Sequence, residues 1–341
     1  MKNLTSTQKI NPWHLFVGLA VATFNSSQAR VNGELGAVLD NAIVAAMVSF
    51  GSGLTILLIG ILFIKPARKA YLGIPKLIRT GKLHWWQIVG GTAGALFVIG
   101  QGFVVPVVGV AIFVIAVVAG QTCASLLVDK YGLGPAGPKP VTILRIFAAG
   151  LAVVGVVIAV LGRAHTGNFN FPMVLYMFVV GALTSAQHAM NGRVAQETKQ
   201  PWATTTLNFT VGMTVLLVSF LFYNLFTNVA IPTPPMPWEQ PLLWTGGAIG
   251  IVFIVSAVVL VRTLGVLIFA LVSVVGQLLG AVLLDIFFPT PGNTVTFQVL
   301  LGIAITVIAV VIASLQSNVT RAQNQKEIFV PDADPTSVTM D

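Results

Sequence analysis

Residues 28–36 read QARVNGELG and residues 187–195 read QHAMNGRVA, and this echo decides how the chain is read. Displaced by 159 positions, residues 28–59 fall on 187–218 without a gap. Gln28 then meets Gln187, Asn32 meets Asn191, Gly33 meets Gly192, Phe50 meets Phe209 and Gly53 meets Gly212. Displaced by 156, residues 90–129 fall on 246–285, again ungapped, with 14 of 40 positions identical. The shared positions include Gly90/Gly246, Gly94/Gly250, Gly109/Gly265, Phe113/Phe269, Gly120/Gly276, Gln121/Gln277 and Asp129/Asp285. The chain carries two copies of one unit.

What each copy is made of follows from composition. The sequence is 56% hydrophobic and only 8% charged, where about 25% charge is normal for a soluble domain. Uncharged runs long enough to cross about 30 Å of hydrocarbon recur near 13–32, 42–64, 85–104, 107–128, 141–161, 172–192, 203–226, 241–260, 263–287 and 295–314. Backbone polarity leaves helices or a closed barrel as spanning structures, and runs of this length choose helices. The turns after the third and eighth runs are very short, centred on Pro106 and Arg262, which makes those neighbours antiparallel hairpins. All six tryptophans (Trp13, Trp85, Trp86, Trp202, Trp238 and Trp244) fall at or just before the start of a run, as interfacial aromatics do. The expected fold is therefore an all-α polytopic membrane protein with ten transmembrane helices. Five spans per copy is an odd number, so the second copy enters the bilayer inverted. The expected parts are a cytoplasmic N-terminus (1–12), repeats at 13–163 and 164–316, and a polar, disordered cytoplasmic tail at 317–341.

Charge sets the orientation. With the N-terminus inside, 16 of the 18 Lys and Arg residues lie in cytoplasmic segments, and only Arg30 and Arg163 lie outside. The positive-inside rule thus places both termini in the cytoplasm. The net charge of +8 is spread over these loops, which makes it a topology signal and not a nucleic-acid footprint. Six of the cations sit in the 65–84 loop with Tyr71, Ile74 and Leu77. Two readings stand: the loop lies on anionic lipid headgroups, or it serves topology alone. No small-residue cleavage site follows the first apolar run, so that span is expected to remain as an uncleaved anchor. The single cysteine, Cys123, allows no intrachain disulfide and no Cys-based metal motif.

These paired motifs carry a family resemblance. QARVNGELG with SFGSGLTILLI is echoed by QHAMNGRVA with NFTVGMTVLLV, and VGVAIFVIAVVAGQTCASLLVDKYG by LGVLIFALVSVVGQLLGAVLLDIFF. Over about residues 15–315 the chain resembles the YdcZ-type branch of the drug/metabolite transporter superfamily, with two repeats fused in one chain. Single members of that branch resemble one half and are thought to pair. The resemblance implies ten helices in two inverted five-helix repeats, export of small organic compounds, and a bacterial-type plasma membrane. It implies no particular substrate.

The residues nominate a site independently. Gln28 and Asn32 share one helix face, as do Gln187 and Asn191, and each amide both donates and accepts. They line a solute cavity or hold helices together. Asn25, Ser26, Ser27, Thr184 and Ser185 enrich the same spans in polar groups and favour the cavity. Gln121 and Gln277 each follow a glycine in an otherwise apolar helix and are the strongest substrate-contact candidates. Asp129 and Asp285, eight residues later, either cap loops or gate opposite mouths of one path. His188 is a hydrogen-bonded structural residue or a group that titrates during transport. Glu34, whose repeat partner is Arg193, is the acid nearest the first span. No carboxylate sits in mid-span, which weakens a proton-antiport reading while leaving proton or cation coupling open. Gly90, Gly91 and Gly94 recur as Gly246, Gly247 and Gly250 and form small-residue packing faces. The Pro-rich run 232–241 reads as a stiff external loop.

The leading expectation is a secondary transporter that moves a small organic solute outward by alternating access. No phosphate-cradling loop points to ATP. No HExxH or GxSxG supports an enzyme, and neither cofactor nor metal is expected. The alternatives are a passive channel and a non-transporting assembly or receptor protein. Saturable counterflow separates carrier from channel.

Overall fold

The computed structural model describes residues 12–135, 137–138, 140–164, 171–227, 231–264, 266–289 and 295–327. The protein is all-α. Its helices are α1 (Pro12–Leu39), α2 (Ala42–Phe63), α3 (Lys65–Arg79), α4 (Gly91–Lys130), α5 (Ile143–Ala164), α6 (Phe171–Thr198), α7 (Pro201–Phe226), α8 (Gly246–Leu264), α9 (Val266–Phe287) and α10 (Phe297–Glu327). Single 3-10 turns at Trp85–Ile88 and Pro241–Trp244 precede α4 and α8. The two turns lie 156 residues apart, at the register of the sequence repeat.

Among the described residues six helical stretches are long and apolar enough to span a bilayer, and α8 and α10 contribute shorter apolar runs. Large apolar side chains cover the outside, Phe63 at 80% and Phe226 at 82% exposure among them, as a hydrocarbon-facing surface requires. This is a multi-pass membrane protein. The helix α1 is missing from the apolar six because Asn25, Ser26, Ser27, Gln28, Arg30 and Asn32 dilute it.

The third and fourth expected spans form one helical run, α4, broken at Gly109, where φ is 82° and ψ is 168°. A side chain would strain that backbone, so glycine is required there. The run folds back on itself: the rings of Phe97 and Phe113 are 5.4 Å apart, whereas a straight helix would separate them by about 24 Å. Their repeat partners Phe253 and Phe269 meet at 6.4 Å across the α8–α9 junction. Both hairpins exist, but they turn three residues later than expected. The first turns at Gly109 and not at Pro106; α8 likewise runs through Arg262 to Leu264 and α9 begins at Val266. The positive-φ residue sets the reversal.

Two further expectations change. The cationic loop contains a helix, α3. The expected tail 317–341 begins as helix, since α10 continues to Glu327; residues 328–341 lie outside the described residues, as do 1–11 of the expected N-terminus.

Packing repeats in the same register as the sequence. A Cβ on Gly120 would meet Phe178 O and Ala182 N, and one on Gly276 would meet Leu19 O and Thr23 N. Gly91 faces Asn208 O and Gly212 N, while Gly247 faces Ser49 O and Gly53 N. Gly53 packs on the Phe209 ring and Gly212 on the Phe50 ring, with the two rings 4.9 Å apart. In each case the glycines of α4, α8 and α9 shift by 156 and their partners by 159. Even the two left-handed non-glycine residues among the described residues, Asp40 (φ 45°) and Lys199 (φ 53°), are 159 apart. Each sits in the short turn before the next helix.

These contacts make specific demands. Gly120→Ala would drive a methyl into the Phe178 carbonyl oxygen, and backbone cannot move aside cheaply. We expect a loss of about 2 kcal/mol, read as a lowered thermal midpoint in detergent. Gly51 has nothing within 4 Å of its would-be Cβ, and Gly51→Ala is expected to leave the midpoint unchanged or raised.

Candidate functional site

The polar side chains singled out in the sequence gather in two related clusters. In the first, Asn32 is fully buried on α1 and its Nδ2 donates to Gln101 Oε1 on α4 at 2.7 Å. The Asn32 Oδ1 and the Ser49 Oγ are both buried without a hydrogen-bond partner, and both crowd Gly246 at the start of α8. Gln28, one turn before Asn32, lies with its Nε2 against Gly250. In the second cluster, Gln187 Nε2 on α6 donates to Asn208 Oδ1 on α7 at 2.9 Å. Asn191 sets its Oδ1 against Gly90, and the Gln187 Nε2 lies against Gly94. Glycines at these four positions let amides approach the helix starts of α4 and α8, where a methyl would displace them.

The six amides thus divide. Asn32 and Gln187 are buried and bonded to other amides, which is the interhelical role. Gln121 is half-buried and donates from Nε2 to Thr184 Oγ1 at 3.0 Å, and that hydroxyl is in turn bonded to Gly181 O. Gln28, Asn191 and Gln277 are half-buried, and their side chains make no hydrogen bond among the described residues. Beside Gln277, the Ser26 hydroxyl donates to its backbone carbonyl at 2.7 Å and ties α1 to α9.

The partners Gln101 and Asn208 were not singled out in the sequence because neither has a like residue in the other half. Gln101 corresponds to Ala257 and Asn208 to Ser49. A signal was available: each is an amide inside an apolar helix, the same criterion that selected Gln121.

The repeat-related carboxylates do different work. Asp285 is 3% exposed at the end of α9. Its oxygens accept from Val110 N at 3.0 Å and Ala111 N at 2.8 Å, the first amides after the break at Gly109. It is a helix cap supplied from another helix, satisfying donors that the broken run leaves open. Asp129 pairs with Arg145 at 2.6 Å on α5. Neither carboxylate lies with the amide clusters. Glu34 is exposed on α1, away from the buried Asn32.

His188 is exposed on α6. At the C-terminal end of α6 lies a cavity of about 310 Å³ bordered by Lys82, His84, Trp86, Tyr131, Arg193 and Glu197. Arg193 donates to Gly132 O at 3.2 Å, and its Nε is buried without a partner. Among the described residues no group of three His, Cys, Asp or Glu side chains is placed to hold a metal ion.

The family described as "Putative inner membrane exporter, YdcZ" matches the chain in two regions, residues 3–158 and 172–312. The chain belongs to this family. The YdcZ family comprises membrane transporters and not enzymes, so the chain is a membrane transport protein of the drug/metabolite transporter superfamily. No curated protein matches it. One solved structure, described only as "Crystal structure of protein", aligns with a TM-score of 0.51 at 17% identity, covering 92% of this chain and 99% of that one. That likeness concerns the fold alone.

Proposed function

We propose that this YdcZ-family protein is a secondary transporter that exports a small organic solute across the plasma membrane by alternating access. Ten membrane helices form two inverted five-helix repeats, 13–163 and 164–316, with both termini cytoplasmic. The observation that carries the proposal is an asymmetry between otherwise matched halves. Near the end of α1, Gly33 lies against Val105 and Gly36 against the backbone of Gly102, so α1 leans on α4 and buries Asn32. Among the described residues α6 makes no comparable packing on α8 or α9. Asn191 and Gly192 are accordingly half-buried where Asn32 and Gly33 are buried.

One mouth is closed and its repeat counterpart is open. Loop charge makes the open mouth cytoplasmic. Transport then consists of exchanging the two arrangements, with α6 closing as α1 opens, and the interlocked glycines provide surfaces on which packed helices slide. Gln28, Asn191 and Gln277 offer unoccupied amide groups along the route, and Asn32, Gln121 and Gln187 hold its walls. Asp129 and Asp285 fix the hairpins about which the halves move, and His188, exposed on α6, is the group that titrates during transport.

The test is transport by purified protein in vesicles, with solutes first selected by thermal shift. Gln28→Ala/Gln277→Ala is expected to keep its thermal midpoint within a few degrees and to lose flux by on the order of tenfold or more, because each lost bond to a solute is worth about 1 kcal/mol or more. Solute-stimulated counterflow in the wild type is required. Flux without counterflow would establish a channel instead.

A further inference from the structure

The cations that the sequence places in one loop are arranged by α3 into a single surface. At about 100° per residue, Lys65, Arg68, Lys69, Lys76 and Arg79 all fall within an arc of about 100°, and all five are exposed. The opposite arc holds Ala67, Ala70, Tyr71, Ile74 and Ile78. Of these, Ala67 and Ile74 are buried, and the Tyr71 hydroxyl shares a hydrogen bond with Thr210 Oγ1 of α7 at 3.2 Å. The helix is therefore clamped by its apolar face to the bundle and turns its charge outward. Of the helices packed on α3, α2 and α7 carry no acidic residue, and α6 carries one, Glu197, which borders the cavity at its C-terminal end.

Position along the bilayer normal comes from the neighbours. The last residues of α2, Leu62 and Phe63, are 64% and 80% exposed and belong to the hydrocarbon-facing surface; Lys65 follows within two residues. In the centre of the cationic arc stands Leu72, 69% exposed. A row of cations that begins where the apolar belt stops, with one bare leucine among them, matches the chemistry of lipid at the glycerol and phosphate level.

We propose that the outer face of α3 is a binding site for anionic phospholipid headgroups, whose phosphates the five cations engage while Leu72 enters the acyl region. The site has no counterpart in the second half, where the equivalent stretch is the Pro-rich segment before α8. Because Tyr71 holds α7 two residues from Asn208, the bound lipid also braces the wall that carries the Gln187–Asn208 bond.

The experiment compares the full chain in nanodiscs of phosphatidylcholine alone and of equal parts phosphatidylcholine and phosphatidylglycerol. Expected for the wild type are a thermal midpoint several degrees higher with phosphatidylglycerol and an enrichment of that lipid on the order of tenfold in native mass spectra, both fading as salt is raised. Changing all five cations to glutamine is expected to remove both effects. Lys65→Arg/Lys69→Arg/Lys76→Arg is expected to retain them. A glutamine variant that enriches phosphatidylglycerol as the wild type does would place the lipid elsewhere and overturn the site. So would a wild type indifferent to lipid charge. If the five-fold variant does not fold, Lys76→Gln/Arg79→Gln must halve the enrichment or the proposal falls.

Discussion

Gly36→Val is expected to lock the transporter out of the arrangement described here. A Cβ on Gly36 would overlap the Gly102 carbonyl oxygen and lie 2.6 Å from two more atoms of that residue, so α1 cannot close on α4 with a side chain in place. Overpacking of this kind costs about 1–3 kcal/mol. Spent wholly on the closed outer mouth, that shifts the balance between conformers by roughly tenfold to a hundredfold. The clash exists only while the mouth is shut, so the fold itself should survive. In a Cys123→Ser background, a cysteine at Asn32, which is buried while α1 lies on α4, is expected to react faster with an impermeant outside reagent when Gly36 is valine. A cysteine at Glu197 should become slower towards a cytoplasmic reagent, and net flux should fall with the trapped population. Equal labelling rates at both positions would show that this contact is not a gate.

Asp285→Ala is expected to be the most damaging single change to stability. The carboxylate accepts from two buried backbone amides. Leaving buried donors open costs about 1–3 kcal/mol each, more where the lost acceptor was charged. A loss of about 3–5 kcal/mol is enough to abolish purification of a marginal membrane protein. Asp285→Asn retains one acceptor oxygen and should lose roughly half as much. Thermal unfolding of the two variants, ordered Asn above Ala and both below wild type, checks this. If Asp285→Ala were as stable as wild type yet inactive, the carboxylate would be a transport group and not a cap.

How much of this could be read from the residues varies with the kind of physics involved. The duplication, the helices and the two hairpins were legible because each rests on pattern: repeated glycines, uncharged runs, interfacial tryptophans. The location of the reversal was not. Pro106 is the louder letter, but the turn needs a positive φ, and only the backbone reveals that Gly109 supplies it. The partners of the paired amides were hidden for the opposite reason. Reading by repeats favours what the halves share, while Gln101 and Asn208 are what they do not share. Charge concealed α3, since a run of lysines and arginines reads as a loop until its spacing is plotted around an axis. The proposed open and closed mouths were beyond the sequence altogether, because alternating access requires one chain to adopt both.

The tight reversal at Gly109 bears on how the protein is made. A hairpin with no hydrophilic loop gives the insertion machinery nothing to hold between its two legs. The first leg cannot settle in the bilayer and await the second, so the 91–130 segment must leave the translocation channel as a unit, oriented by Lys82 before it and Lys130 after it. The Asp285 carboxylate that caps its second leg lies 175 residues after Val110, the first amide it caps. The first half of the chain therefore waits in the membrane with its hairpin uncapped until α9 arrives, and biogenesis, not solute handling, sets the earliest demand on that aspartate.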